Sequence, residues 1–142
     1  MIGKFLNTTP KIAKKSFVAC NARLIGAVEI GEYSSIWYNV IARADINRIK
    51  IGSYTNVQDG SILHVDNNLS VTIGNYVTIG HGVIIHGCNI GDGTLIGMGA
   101  ILLNEAHIGK NSVVAAGSIV TKNFKSSEGS LIMGSPAKII RS

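Results

Sequence analysis

Proline is almost missing from this chain, at 2 residues in 142, and cysteine is no commoner. Collagen, which needs abundant proline and a glycine at every third position, is excluded although glycine is plentiful at 17 residues. Cys20 and Cys88 form no CxxC pair and no dense framework. They suit a reducing compartment, and the expected location is cytoplasmic. No stretch approaches the roughly 18 apolar residues of a membrane span, and no apolar segment follows Lys4 as in a signal peptide, so neither a membrane partner nor signal-peptide secretion is expected. Charged residues are sparse at 15%, against about 25% in ordinary globular domains. Between Lys50 and Lys110 there is no Lys or Arg at all. The net charge of +5 therefore gathers near the ends, at Lys4, Lys11, Lys14 and Lys15, then Lys122, Lys125 and Lys138. With no Arg/aromatic stripe and no helix-turn-helix pattern, no nucleic-acid partner is expected. What is present is a 46% apolar chain, long enough for one domain with a core. Ile and Val number 33 against 8 Leu and 11 Ala, a β composition.

An internal repeat specifies the architecture. An aliphatic residue returns at every sixth position through Ile73, Ile79 and Ile85, then after one five-residue step through Ile90, Ile96, Leu102, Ile108, Val114 and Val120. The same beat runs through Val18, Leu24, Ile30 and Ile36, and through Ile51, Val57 and Leu63. A six-residue period fits neither an α-helix nor one long strand. It fits short strands of about five residues joined by tight corners, three to a turn of a triangular coil. Ile-Gly pairs at Ile30, Ile51, Ile73, Ile90 and Ile108 are spaced 21, 22, 17 and 18 residues apart, one coil each with occasional small loops. Glycine is expected there because it turns without a Cβ penalty. Such coils stack parallel with aliphatic residues pointing inward, about six coils counting from Ile12. This resembles the all-β, left-handed parallel β-helix of hexapeptide-repeat proteins. The expected organisation is a lead-in over 1–11, the β-helix over 12–125 and a short tail over 126–142, with no long C-terminal helix.

Offsets from the isoleucine that starts each coil place the polar residues in columns. His64 is 13 residues after Ile51 and His86 is 13 after Ile73, so they stand one above the other. Arg43 is 13 after Ile30 and joins that column if the extra residues of its coil follow it. His81 is 8 after Ile73 and Asp59 is 8 after Ile51, which defines a second column on another side. One side of the triangle is roughly 15–20 Å long, beyond the reach of an imidazole. His81 can join the other two histidines only from another subunit, and the docking that brings it there also brings Asp59 to Arg43 of the neighbour.

The segments Ala42–Asp45 (ARAD), Asn56–Gly60 (NVQDG), His64, Gly80-His81, His86-Gly87-Cys88 and Leu95–Ala100 (LIGMGA) together resemble the γ-class carbonic anhydrase family. The similarity runs from about Ile25 to Gly134-Ser135-Pro136-Ala137-Lys138. It implies a homotrimer with Zn2+ (Fe2+ or Co2+ as alternatives) held by His64 and His86 of one chain and His81 of the next. It further implies reversible hydration of CO2 to bicarbonate by metal-bound hydroxide. Gln58 would orient the metal-bound water, Arg43 would pair with Asp59 across the interface, and Asp45 and Asn56 would belong to the surrounding hydrogen-bond network.

The chain departs from the family pattern where acids near the metal would stand. Ile46 follows Asp45, Asn67 lies three residues after His64, and Asp66 is the only acid nearby. With no evident proton shuttle, weak turnover is expected. Rival functions are an acyltransferase using coenzyme A, with a single histidine as base, and a noncatalytic metal-stabilised trimer. His107 is expected at an exposed corner, Cys88 as a small residue packed at the interface, and Trp37, Tyr38 and Met98 as packing residues.

Overall fold

The computed structural model describes residues 1–141. Among them the chain winds as a parallel β-helix without any α-helix, built mostly from strands of two or three residues. These are shorter than the five-residue strands expected, because each corner takes up the residues between successive pairing sites. Seven strands stack in parallel on the first face: Phe17–Val18, Ser35–Ile36, Asn56–Val57, Thr78–Ile79, Leu95–Ile96, Val113–Val114 and Leu131–Gly134. The stack is one level deeper than the six coils counted from the repeat. The additional level comes from Leu131–Gly134, which pairs with Val113–Val114 before Ala137–Arg141 folds back antiparallel over it.

The second face carries Ile62–His64, Ile84–His86, Ile101–Leu102 and Ile119–Val120, and the third carries Val71–Ile73, Asn89–Ile90 and His107–Ile108. Two long strands, Arg23–Ile30 and Ile41–Ile51, run around the corner and join these faces into one sheet. One aliphatic residue from each side points inward at every level. Ile36, Val57, Ile79, Ile96 and Val114 form one such column, and Leu24, Ala42, Leu63, Ile85 and Leu102 another; all are fully buried. At the corners, buried hydroxyls tie neighbouring coils together: Ser34 Oγ donates to Gly52 O at 2.7 Å, Thr55 Oγ1 to Gly74 O at 2.8 Å and Ser61 Oγ to Gly80 O at 2.9 Å.

The Ile-Gly glycines have a different role from the one expected. It is the residue two places later that takes a positive φ, as at Tyr33 (58°), Tyr54 (55°) and Tyr76 (56°). The glycine is required by close stacking: a Cβ on Gly52 would lie 2.5 Å from Gly74 O, and one on Gly91 2.7 Å from Lys110 N. The three tyrosines consequently stack as a ladder on the outside of that corner, with ring centroids 4.9 Å apart at both steps.

Two further expectations are corrected. Cys88 is fully buried inside the coil and belongs to the core instead of an interface. Its place follows from the corner after His86, where the chain turns at Gly87 and aims residue 88 inward. Burial pushes its thiol up to about 12. His107 opens the strand His107–Ile108, in register with Asn89, and lies on a face, not at a corner.

Truncating the middle of the stack with Leu63→Ala should cost about 2–5 kcal/mol in urea unfolding, since neighbouring coils cannot collapse into the gap. In the native protein a thiol reagent should modify the exposed Cys20 promptly and reach Cys88 only after denaturation. Equal reaction of both thiols without denaturant would contradict the buried placement of Cys88.

Candidate metal centre

Arg43, His64 and His86 are direct partners in successive strands of the second face. The condition on Arg43 is met by the register: Ala44 pairs with Gly26 and Ile49 with Val28, so residues 45–48 stand opposite Ala27 alone and the three extra residues of the coil follow Arg43. The two imidazoles stand 5.1 Å apart between centroids, with His64 Nδ1 3.1 Å from His86 Nε2.

Each ring is held from its far side. His64 Nε2 lies 3.1 Å from Asp45 Oδ1, and the other oxygen of Asp45 accepts from Arg43 Nη1. Burial acts to raise the Asp45 pKa. Hydrogen bonds from His64, its own backbone and Arg43 outweigh that and hold the carboxyl below its usual value. On the second ring, His86 Nδ1 contacts Asn104 Oδ1, and Asn104 Nδ2 donates to Asp66 Oδ2 at 2.7 Å. The backbone N–H of Asn67, followed by the amide of Asn104, keeps Asp66 below the ordinary carboxylate range. Asn104 lies in neither polar column and in none of the motif segments, yet its place follows from the register. Leu102 pairs with Ile85, so the corner after Leu103 must lie above His86 and Gly87.

The donor set fits a small divalent cation. Two nitrogen ligands of a tetrahedral ion, with metal–nitrogen bonds of 2.0–2.1 Å, lie about 3.3 Å apart, close to the 3.1 Å observed. Imidazole donors suit zinc, iron and cobalt alike. Among the described residues no group of three His, Cys, Asp or Glu side chains converges within one chain.

His81 lies on the first face, at the corner following Thr78–Ile79, with Nδ1 3.2 Å from Asp59 Oδ2. Gln58 is on the same face; its Nε2 donates to Asn56 Oδ1 at 3.2 Å, and Asn56 Nδ2 donates to Thr78 Oγ1 at 3.2 Å. Asn56, Gln58, Asp59 and His81 line one shallow cavity of about 450 Å3 together with Ser35 and Trp37. The single chain thus brings Arg43, Asp45, His64 and His86 together on one face and Asn56, Gln58, Asp59 and His81 on another. Trp37, Tyr38 and Met98 are exposed and take no part in the core of the chain.

The positions lacking an acid are also clear. Ile46 is exposed, and Asn67 offers its backbone N–H to Asp66 Oδ1 at 2.7 Å. Both carboxylate oxygens of Asp66 are therefore engaged.

Comparison with known proteins gives the family of the chain. Residues 87–122 match the family model described as bacterial transferase hexapeptide (six repeats). The chain is 44% identical over 130 residues to the probable carbonic anhydrase of Methanocaldococcus jannaschii, covering 92% of this chain and 82% of that one. It is 41% identical over 141 residues to a carbonic anhydrase of Geobacillus kaustophilus, covering 99% and 78%. A hexapeptide transferase family protein from Anaplasma phagocytophilum superposes with a TM-score of 0.94 at 38% identity, over 99% of this chain and 82% of that one. The chain spans about half the length of gamma carbonic anhydrases 1 and 2 of Arabidopsis thaliana, to which it is 45% and 43% identical. Its coils are those of the left-handed parallel β-helix, and the chain belongs to the γ-carbonic anhydrase-like family of hexapeptide-repeat proteins.

Proposed function

We propose that the protein is a zinc-dependent homotrimer that catalyses the reversible hydration of carbon dioxide to bicarbonate. The observation that carries this reading is the pair of imidazole nitrogens 3.1 Å apart on one face, with a third histidine on another face of the same chain. A threefold docking of the first face on the second would supply His81 of one chain to His64 and His86 of the next, and Asp59 to Arg43.

The surface supports that docking. Pairing positions that point outward on the second face are apolar at Ile41, Ile62 and Ile84, and on the first face at Phe17, Leu95 and Val113; all six are exposed in the single chain. On the third face the outward positions are Lys11, Glu29, Lys50, Thr72, Asn89 and His107, polar at every level. The outward row of the first face also includes Ser35, Asn56 and Thr78, and a triangular prism with apolar rows on two sides and a wholly polar third side is the shape a closed ring of three needs.

A zinc ion held by three imidazoles would supply, when bound, a water acidic enough to be a nucleophile at neutral pH. The chain's own residues bind and orient. Gln58 has its amide nitrogen committed to Asn56 and keeps its carbonyl oxygen to accept a hydrogen bond from water or from bicarbonate. Asp45 fixes the His64 ring while Arg43 neutralises its carboxylate. Removal of the proton is the weak step. Asp66 is tied down by Asn67 and Asn104, and no mobile acid replaces it at position 46 or 67.

Zinc analysis after gentle purification, with CO2 hydration kinetics alongside, tests the reading. Turnover in dilute buffer should be slow, and either added imidazole or Asn67→Glu should raise it. Rapid turnover without a buffer shuttle would show that proton removal is not limiting. Tight coenzyme A binding without zinc would favour an acyltransferase, and zinc without turnover a noncatalytic trimer. The division of each site between two chains is tested by mixing variants. His64→Ala and His81→Ala should each abolish zinc binding, yet co-refolded in equal amounts they should regain about a quarter of the sites, because each mixed trimer has one intact junction. His64→Ala mixed with His86→Ala should regain none.

A further inference from the structure

We propose that Asn104 is a positioning residue that decides which nitrogen of His86 faces the metal, with Asp66 holding Asn104 in the orientation this requires; the inference rests on the metal reading above. An asparagine amide can in principle present either its oxygen or its nitrogen to a neighbour. Here the choice is forced by Asp66. A carboxylate only accepts, so the 2.7 Å contact to Asp66 Oδ2 must be made by Asn104 Nδ2. The amide oxygen is then the atom on His86 Nδ1, and because that oxygen cannot donate, Nδ1 must carry the hydrogen. The lone pair of His86 is left on Nε2.

His64 is constrained in the same sense by a different partner. Asp45 accepts from Nε2–H, which leaves the His64 lone pair on Nδ1. The two nitrogens facing each other at 3.1 Å are therefore both acceptors, an arrangement that repels until a cation lies between them. Without Asn104 the His86 ring could carry its hydrogen on Nε2 and donate it to His64, closing the site with an ordinary hydrogen bond.

The surrounding backbone keeps this relay in place. Asp66 and Leu69 bond reciprocally across a small loop, Asp66 N–H to Leu69 O at 2.9 Å and Leu69 N–H to Asp66 O at 3.2 Å. Asn47 Nδ2 adds a bond to Asp66 O at 3.2 Å. Gly87, at φ 53°, leaves the space that Asn104 enters: a Cβ there would stand 3.1 Å from Asn104 Oδ1. The loop that interrupts the six-residue repeat after His64 thus delivers the carboxylate that orients an amide 38 residues further along the chain.

The test is zinc affinity by chelator competition, together with 15N NMR of the histidine rings in the zinc-loaded protein. Asn104→Leu, which removes the acceptor at similar size, should weaken zinc binding about 10- to 100-fold and turn a slowly exchanging His86 Nδ1–H into a fast one. Asp66→Ala should weaken zinc binding in the same direction by freeing the amide to flip. The double variant Asp66→Asn/Asn104→Asp exchanges the two side chains, keeps an acceptor on His86, and should recover most of the affinity; a purely structural role would not predict that recovery. Wild-type affinity in Asn104→Leu, in a protein whose zinc is abolished by His64→Ala, would overturn the positioning role while leaving the metal reading intact. Zinc binding that survives His64→Ala would overturn the metal reading itself.

Discussion

The parallel register between successive coils is the constraint from which the rest of the structure follows. Most strands are only two or three residues long, so none of these is stable alone, and position is set by the coil beneath it. Arg43, His64 and His86 are neighbours because Ile41, Ile62 and Ile84 are paired in register, and a one-residue slip would send every one of them into the core. The buried aliphatic columns make that slip costly, since Leu63 and Ile85 would have to exchange places with the histidines beside them. Precise placement of the imidazoles is thus a by-product of burying isoleucine and leucine.

The site depends equally on where the repeat is broken. Residues 45–48 and the Asp66–Leu69 loop both interrupt the six-residue period at the same corner, one coil apart. An uninterrupted coil offers outward positions one strand apart but no side chain that can reach behind a ring from its edge. The first interruption supplies Asp45 behind His64, and the second supplies Asp66 behind Asn104 and so behind His86. The next coil has no such loop and turns directly at Gly87, which brings Asn104 close.

The period of six, the three sides and the two polar columns were legible because each depends only on counting, and counting survives folding when the register is rigid. The corner chemistry was less so. The Ile-Gly glycines are conspicuous in the sequence, but proximity to the coil above is what demands them, and the positive φ falls on tyrosines that no turn rule favours. Cys88 was misplaced because alternation was carried across a corner, where it does not hold. The last coil was missed because Leu131–Gly134 follows a polar stretch, residues 121–130, that breaks the aliphatic beat without breaking the stacking. Asn104 went unseen because it belongs to no motif segment and no column, and its role emerges only from its contacts with Asp66 and His86.

A solenoid of this section cannot close a three-histidine site on itself. Its faces diverge from each corner, and the buried aliphatic core fills the space between them, so ligands on two faces of one chain point away from each other. Moving His81 to the second face would require an outward position there beside His64 and His86, and those positions hold Arg43 below and Leu103 above. In the proposed site the third ligand would then come from a second prism set against the first, with the apolar rows of both faces between them. On the proposed assembly the ion and the isoleucine stripe stabilise the same contact, and whatever binds only the assembled site raises the stability of the assembly by mass action. On that proposal, the arrangement of histidines over two faces would link metal occupancy to subunit association, so that neither could be perturbed without shifting the other.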